Sequence, residues 1–288
     1  MKLALGTVQF GLPYGIANQV GQVSQSNVAE ILSLAASYGV NTLDTAVAYG
    51  SSEAILGAVG INDWQVISKL PALPQNCPNA EQWVEEQLLG SLKRLKLSQL
   101  DALLLHRPEQ LLGGQGEALY RAMQIQQSKG LVEKIGISIY QPEELEAIFP
   151  SMAFDIVQAP FNILDRRLKD SGWLSRLNSQ GVELHVRSVF MQGLLLMQPE
   201  QRPHKFKRWD LIWDTWRSWL NDNQLSPVEA CLRYVLSQNE ISKIVVGVDN
   251  PQQLKQIITA SYGDLPLVPE NLGCSDIDLL NPSHWSRL

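Results

Sequence analysis

The chain has 288 residues, 45% of them hydrophobic and 18% charged, a composition that folds as a globular protein and excludes a long disordered tail. Its formal net charge of −6 repels phosphate backbones, and the richest basic run, His204-Lys205-Phe206-Lys207-Arg208, is too short to make a nucleic-acid surface. Cys77, Cys231 and Cys274 are odd in number and scattered, so a reducing cytoplasm is the expected compartment; Gly6 and Gly11 break the N-terminal apolar run, and neither a signal peptide nor a membrane span is expected.

Short apolar runs alternate along the chain with segments of helical period. The strands are predicted at residues 3–6, 42–44, 65–68, 102–106, 134–138, 155–158, 183–188 and 243–247. Helices are predicted at residues 26–38, 52–59, 80–95, 117–129, 142–149, 169–180, 226–238 and 251–262. Ser24, Ser26, Ser51, Asn79, Ser226 and Asn250 are N-cap candidates, and Gly39, Gly60, Gly130 and Gly181 follow helix ends. Strands joined by helical crossovers lie parallel. Eight such pairs predict an α/β fold, a closed (β/α)8 TIM barrel spanning residues 1–288 as a single domain, in preference to a doubly wound open sheet with edges to protect.

Residues 189–225, after the seventh strand, depart from the repeat. They carry Trp209, Trp213, Trp216 and Trp219 at helical spacing. An inserted amphipathic helix packed on the barrel is one reading, and a lid lending an aromatic wall to a substrate pocket is the other. Exposed tryptophans there would be a candidate contact between subunits, and the oligomeric state is otherwise unwritten.

The chemistry is concentrated where predicted strands end. Asp44 and Tyr49 follow strand two, Lys69 strand three and His106 strand four, and in a barrel those ends converge on one mouth. A phenol titrates near 10 and needs help as an acid at neutral pH. A lysine beside Tyr49 would lower its pKa, Asp44 would anchor that lysine, and His106 would orient a carbonyl oxygen. Taken singly, Asp44 and Lys69 read as a barrel ion pair, His106 as a strand-end histidine and Tyr49 as a loop anchor; their joint order favours the catalytic reading. Glu53 reads as a first-turn helix carboxylate, with a proton-step role as the rival. His185, His204 and His284 show no metal-ligand spacing, so no metal site is expected.

LeuGlyThrValGlnPheGly from Leu5, the 44–57 segment, Lys69 and His106 resemble successive signatures of the aldo-keto reductase superfamily. LysIleGlyIleSer at Lys134, AspIleValGlnAlaProPheAsn at Asp155, ArgSerValPheMetGlnGly at Arg187 and ValGlyValAspAsnPro at Val246 extend the resemblance over nearly the whole chain. It implies carbonyl reduction with a nicotinamide cofactor extended across the barrel mouth, and no GxGxxG motif is present. Implied cofactor contacts are Gly6, Thr7 and Asp44, the carboxamide holders Ser138 and Gln158, and Arg187 where many relatives carry a stacking aromatic ring. Ser188, Phe190 and Gln192 are implied on the pyrophosphate, and Gly247, Asp249, Gln253 and Gln256 in the final cofactor segment. NADP(H) is the family default. Asp249 and Gln253 stand where many relatives have basic residues for the 2′-phosphate, which keeps NAD(H) as a rival. Ile139 and Tyr140 depart from the usual Asn-Phe after the serine.

The implied partner is a small carbonyl compound, sugar-like or aromatic, in a pocket shaped by residues 10–16, 106–116, 161–167 and the insertion. Two other functions stay open from the sequence. One is a cofactor-binding sensor or regulatory subunit, and the other a barrel epimerase or dehydratase that retains its nucleotide.

Overall fold

The computed structural model describes residues 1–288. Eight strands form one closed parallel barrel in chain order: β1 (Leu3–Gly6), β2 (Thr42–Asp44), β3 (Gln65–Leu70), β4 (Leu100–Leu105), β5 (Val132–Ser138), β6 (Ile156–Pro160), β7 (Glu183–Arg187) and β8 (Lys243–Gly247). Closure is made by β1 against β8, with Leu3 beside Ile244 and Gly6 beside Gly247. Each strand is short and strongly apolar because it is covered on both faces, by helices outside and by lumen side chains inside.

The crossover helices begin where their caps allow. Ser24 Oγ accepts from the Asn27 amide, Asn79 from Gln82, Ser226 from Glu229 and Asn250 from Gln253, each satisfying a first-turn donor that has no helical partner. Ser51 makes no such bond. The helix expected at residues 169–180 is interrupted: Gly172 takes a left-handed φ of 79°, so a short turn, Arg167–Asp170, precedes the helix Trp173–Ser179.

One apolar cluster of 73 residues lies chiefly between barrel and helices. A separate cluster of four, Ile67, Ala102, Leu104 and Ile156, fills the lumen. Gly136 belongs to that layer, since a Cβ there would come within 2.2 Å of Ile156 O and 2.7 Å of Leu104 Cδ2. Below, Lys134 holds Glu183 at 2.7 Å. The barrel is therefore solid, and only its upper, C-terminal end opens.

The insertion contains the helix Asp210–Asp222. Its tryptophans are packed: Trp209, Trp213, Trp216 and Trp219 are all buried. Each indole N–H is spent internally, on Asp276 Oδ2, Phe206 O, Leu195 O and Leu267 O respectively. The expectation of exposed tryptophans as a subunit contact is thus overturned, because a helix with this apolar stripe buries it against its own barrel. The basic run is also tied down, with Arg208 2.7 Å from Asp276 and 3.1 Å from Asp278. No helix is long and apolar enough to cross a membrane, and all three cysteines are free.

Candidate active site

Strand alternation decides which side chains reach the mouth. Lys69 on β3 points inward and is fully buried; Asp44, at the end of β2, is 3% exposed. The Lys69 ammonium has three donors and meets three oxygens: Asp44 Oδ1 at 2.6 Å, Thr45 O at 2.9 Å and Tyr49 Oη at 3.5 Å. The second Asp44 oxygen accepts from Gln158 Nε2 at 2.6 Å, and Gln158 Oε1 accepts from Ser138 Oγ at 3.1 Å. A buried ion pair is tolerable only when its remaining donors and acceptors are filled in this way.

Tyr49 reaches the lysine because two loops are pressed together. A Cβ on Gly11 would come within 1.8 Å of Tyr49 O and 2.5 Å of Ser52 N. Gly50 takes φ 57°, and a Cβ there would meet Gly11 O at 2.5 Å. Neither position has room for a side chain. His106 begins the loop after β4 and donates its backbone N–H to Leu70 O at 3.2 Å. Its ring stands edge-on to Tyr49, with centroids 5.9 Å apart and planes at 81°.

Burial pushes the Tyr49 phenol above its ordinary value, the Asp44 carboxylate pushes the same way, and Arg187 opposes them. The acidified phenol expected beside Lys69 is therefore not what this environment favours, because desolvation of the phenolate and the Asp44 carboxylate outweigh the opposing charge of Arg187. Burial lowers Lys69, with Asp44 resisting. His106 is held down at about 4 by burial and by the charges of Lys69 and Arg187, which leaves a neutral imidazole at pH 7.

These groups open onto a cavity of about 710 Å3. Gly6, Thr7, Asp44, Tyr49, His106 and Arg187 line its inner end, and the β7 loop contributes Ser188, Phe190 and Gln192. Gly247, Asp249, Gln253 and Gln256 complete the wall. Ser138 and Gln158 do not reach it. They are buried next to its inner end, where Gln158 Nε2 donates to Asp44 Oδ2 and Ser138 Oγ to Gln158 Oε1.

Glu53 is excluded from the cavity as well. Its Oε1 accepts from Ser68 Oγ at 2.6 Å and Ser91 Oγ at 2.8 Å, and its Oε2 from Arg94 Nε at 2.7 Å. This network joins β3 to the helices Ser52–Val59 and Ala80–Leu95, outside the barrel.

Two expected walls are absent from the cavity. Of residues 106–116 only His106 lines it, since Pro108 and Leu111 bury into the core, and none of residues 161–167 does. Asn162 instead supports the β7 loop from below, donating to Ser188 O at 3.1 Å. The tryptophans do not line it either, which corrects the lid reading; Trp213 and Trp216 face a second hollow of about 380 Å3 behind Met197. Tyr14, from the expected 10–16 wall, lines it together with Tyr140, and so do two residues not singled out, Gln9 and Asn18. Gln9 lies inside the LeuGlyThrValGlnPheGly signature, which was the signal available for it.

The cavity fits a nicotinamide dinucleotide in its size and lining. Gln9 Oε1 is buried without a partner. A Cβ on Gly247 would fall 2.3 Å from Gln9 Nε2, so that strand end is bare backbone. Ser188, Met191 and Gln192 hold φ of 63°, 47° and 54°, with Gly193 at 89°. Non-glycine residues in this region carry strain of about 1–3 kcal/mol each and cluster at ligand sites. The helix Pro251–Ala260 begins beside Asp249, offering its amide end to an anion.

A closed eight-stranded barrel with this mouth defines the class, a (β/α)8 barrel enzyme. The family model for the aldo/keto reductase family matches residues 2–273. Across 261 residues the chain is 24% identical to the uncharacterized oxidoreductase YqkF of Bacillus subtilis, covering 82% of this chain and 83% of that protein. It is 22% identical over 268 residues to an NADH-specific methylglyoxal reductase of Escherichia coli, covering 77% and 78%. Its fold matches the holo form of an aldo-keto reductase from Bacillus halodurans with a TM-score of 0.74 at 20% identity, over 92% of this chain and 88% of that one. The chain belongs to the aldo/keto reductase family and is an NAD(P)H-dependent oxidoreductase.

Proposed function

We propose that this protein reduces a small aldehyde or ketone to the alcohol, with Tyr49 as proton donor and NADH as the preferred cofactor. The observation that carries the reading is the Lys69 ammonium, planted among Asp44, Thr45 and Tyr49 with all three donors directed, at the inner end of a nucleotide-sized cavity. What the bound nicotinamide supplies is a hydride for the carbonyl carbon. Tyr49 stays protonated through neutral pH and passes its proton to the carbonyl oxygen. As the proton leaves, negative charge develops on Tyr49 Oη, where Lys69 already stands 3.5 Å away. That contact strengthens in the transition state more than in the ground state, which is the condition for catalysis. Asp44 keeps the ammonium charged and in place. Neutral His106 presents an N–H to the carbonyl oxygen without competing as an acid.

The preference for NADH is supported by the far end of the cavity. Asp249 and Gln253 stand there, Asn18 Nδ2 approaches Asp249 Oδ1 at 3.4 Å, and Arg187 is the only lysine or arginine among the lining residues. A carboxylate accepts a ribose hydroxyl and repels a 2′-phosphate. The name of the Escherichia coli relative agrees with this reading. Glyoxal and methylglyoxal reductases among the relatives make short aldehydes the first substrates to test. The three free cysteines support a reducing cytoplasm, and the dominant apolar cluster supports one domain.

The test is parallel titration with NADH and NADPH, followed by methylglyoxal-dependent oxidation of the cofactor. Tyr49→Phe should keep NADH affinity within about twofold and lose roughly 10²–10⁴ in kcat. Unimpaired turnover by that variant overturns the proton assignment. Asp249→Arg should shift the preference towards NADPH by about tenfold or more. Tight nucleotide binding with no turnover of any carbonyl would instead favour a sensor.

A further inference from the structure

We propose that Arg187 makes this protein distinguish the two redox states of its cofactor, admitting NADH and expelling NAD+ through the charge on the nicotinamide ring. The inference rests on the reading that the cavity takes a nicotinamide dinucleotide, and it concerns which form is held.

Arg187 ends β7 and is the single cationic side chain among the cavity-lining residues. Arg94, Arg167 and Arg233 each hold a carboxylate at 2.6–2.7 Å. Arg187 donates only to neutral acceptors, Ile139 O at 2.9 Å and Ser188 Oγ at 3.3 Å, and stacks 4.6 Å above the Tyr140 ring. Those bonds carry it from β7 over the end of β6, where Pro160 is its register partner, to the residue after β5. The charge is thus fixed in place and has no counter-ion. The carboxylate at this end of the cavity, Asp44, is already neutralised by Lys69 at 2.6 Å, and Asp249 stands on the β8 side with Gln253 and Asn18.

The field of Arg187 reaches the reacting groups. Its charge opposes the rise at Tyr49 and adds to the lowering at Lys69 and His106. A nicotinamide that supplies hydride to a carbonyl held between Tyr49 and His106 would have to lie in contact with that carbonyl, and so would share that field. In NADH the ring is neutral, and in NAD+ it carries a full positive charge. The pyrophosphate and both riboses are common to the two forms, so their interactions cancel in the comparison. What remains is one fixed cation facing either no charge or a like charge across a partly desolvated gap, a difference worth roughly tenfold or more in affinity. Binding only the reduced form well favours reduction and speeds release of the oxidised product.

The test measures dissociation constants for NADH, NAD+ and ADP-ribose by tryptophan fluorescence or calorimetry, without a carbonyl present. Arg187→Gln keeps a planar donor for Ile139 O and removes the charge; Arg187→Lys keeps the charge. The wild type should hold NADH more tightly than NAD+. In Arg187→Gln the ratio should shrink about tenfold, chiefly by stronger NAD+ binding, with ADP-ribose unchanged, while Arg187→Lys keeps the wild-type ratio. Each tenfold change corresponds to about 30 mV in the midpoint potential of the bound two-electron couple. An unchanged ratio in Arg187→Gln overturns the inference alone. So does a parallel loss of NADH, NAD+ and ADP-ribose, which would assign Arg187 to the pyrophosphate. Failure of the wild type to bind either nucleotide overturns the cofactor reading as well.

Discussion

Asp44 and Glu53 are both buried carboxylates, 3% and 2% exposed, and each is gripped by a cation, at 2.6 Å by Lys69 and at 2.7 Å by Arg94. They lie on opposite faces of β3, whose neighbouring residues Ser68 and Lys69 point outward to Glu53 and inward to Asp44. The outer network closes on itself: Ser68, Ser91 and Arg94 fill both Glu53 oxygens. The inner one ends at a phenol that faces a cavity. Burial and ion pairing are nearly equal in the two places, so neither marks a reactive site. What separates them is whether the last member of the chain meets solvent-sized space, and a one-residue step along a strand decides that.

The comparison breaks most visibly at its cations. Lys69→Met strands Asp44 without a counter-charge and should cost about 3–5 kcal/mol in denaturant unfolding, with reduction abolished even in the folded fraction. Retention of full turnover would show that the inner network is only structural. Gly11→Ala presses on the Tyr49 loop and on the start of the helix that carries Glu53. A methyl 1.8 Å from Tyr49 O and 2.5 Å from Ser52 N must displace that loop, and a shift near 1 Å should lower kcat by up to about 10²-fold. Glu53→Gln should destabilise by about 1–2 kcal/mol, since Arg94 is 38% exposed and can turn to water, with kcat per folded molecule unchanged. A matching loss of kcat would join the two networks that the geometry separates.

The smallest effect is a pH dependence on the inner side. His106 sits at about 4 in the fold and near 6.5 when unfolded. Between those values the unfolded chain binds more protons, so native stability falls as pH drops from about 6.5 towards 4, and the term is absent above that window. Thermal melts of the wild type and His106→Gln should converge as pH falls through it. A His106 ring that titrates near 6.5 by NMR would remove this pH dependence and the desolvation behind it.

Much of the fold was legible because the signals were local. Alternating apolar runs placed all eight strands, with shared bounds for β1, β2 and β8, and cap residues such as Asn79 and Asn250 marked helix starts that the structure uses. Gly172 shows the limit, since a helical period runs through it while its backbone turns left-handed. The site was legible as a set of residues: Asp44, Tyr49, Lys69 and His106 do converge. Their electrostatics were not. Tyr49 is raised rather than lowered, because desolvation depends on what packs around a group and residue order carries no count of that.

Residue order alone determined the barrel, its mouth and the identities gathered there, since period, caps and strand ends are properties of neighbouring positions. Tertiary structure decided that Gln158 and Ser138 lie buried next to the cavity's inner end, that Glu53 faces outward, that four tryptophans bury themselves, and that Arg187 keeps an unpaired charge in the cavity. Each of these turns on a contact between residues far apart in the chain, and the free energy of such a contact depends on depth, partner and direction, which exist only once the barrel has closed.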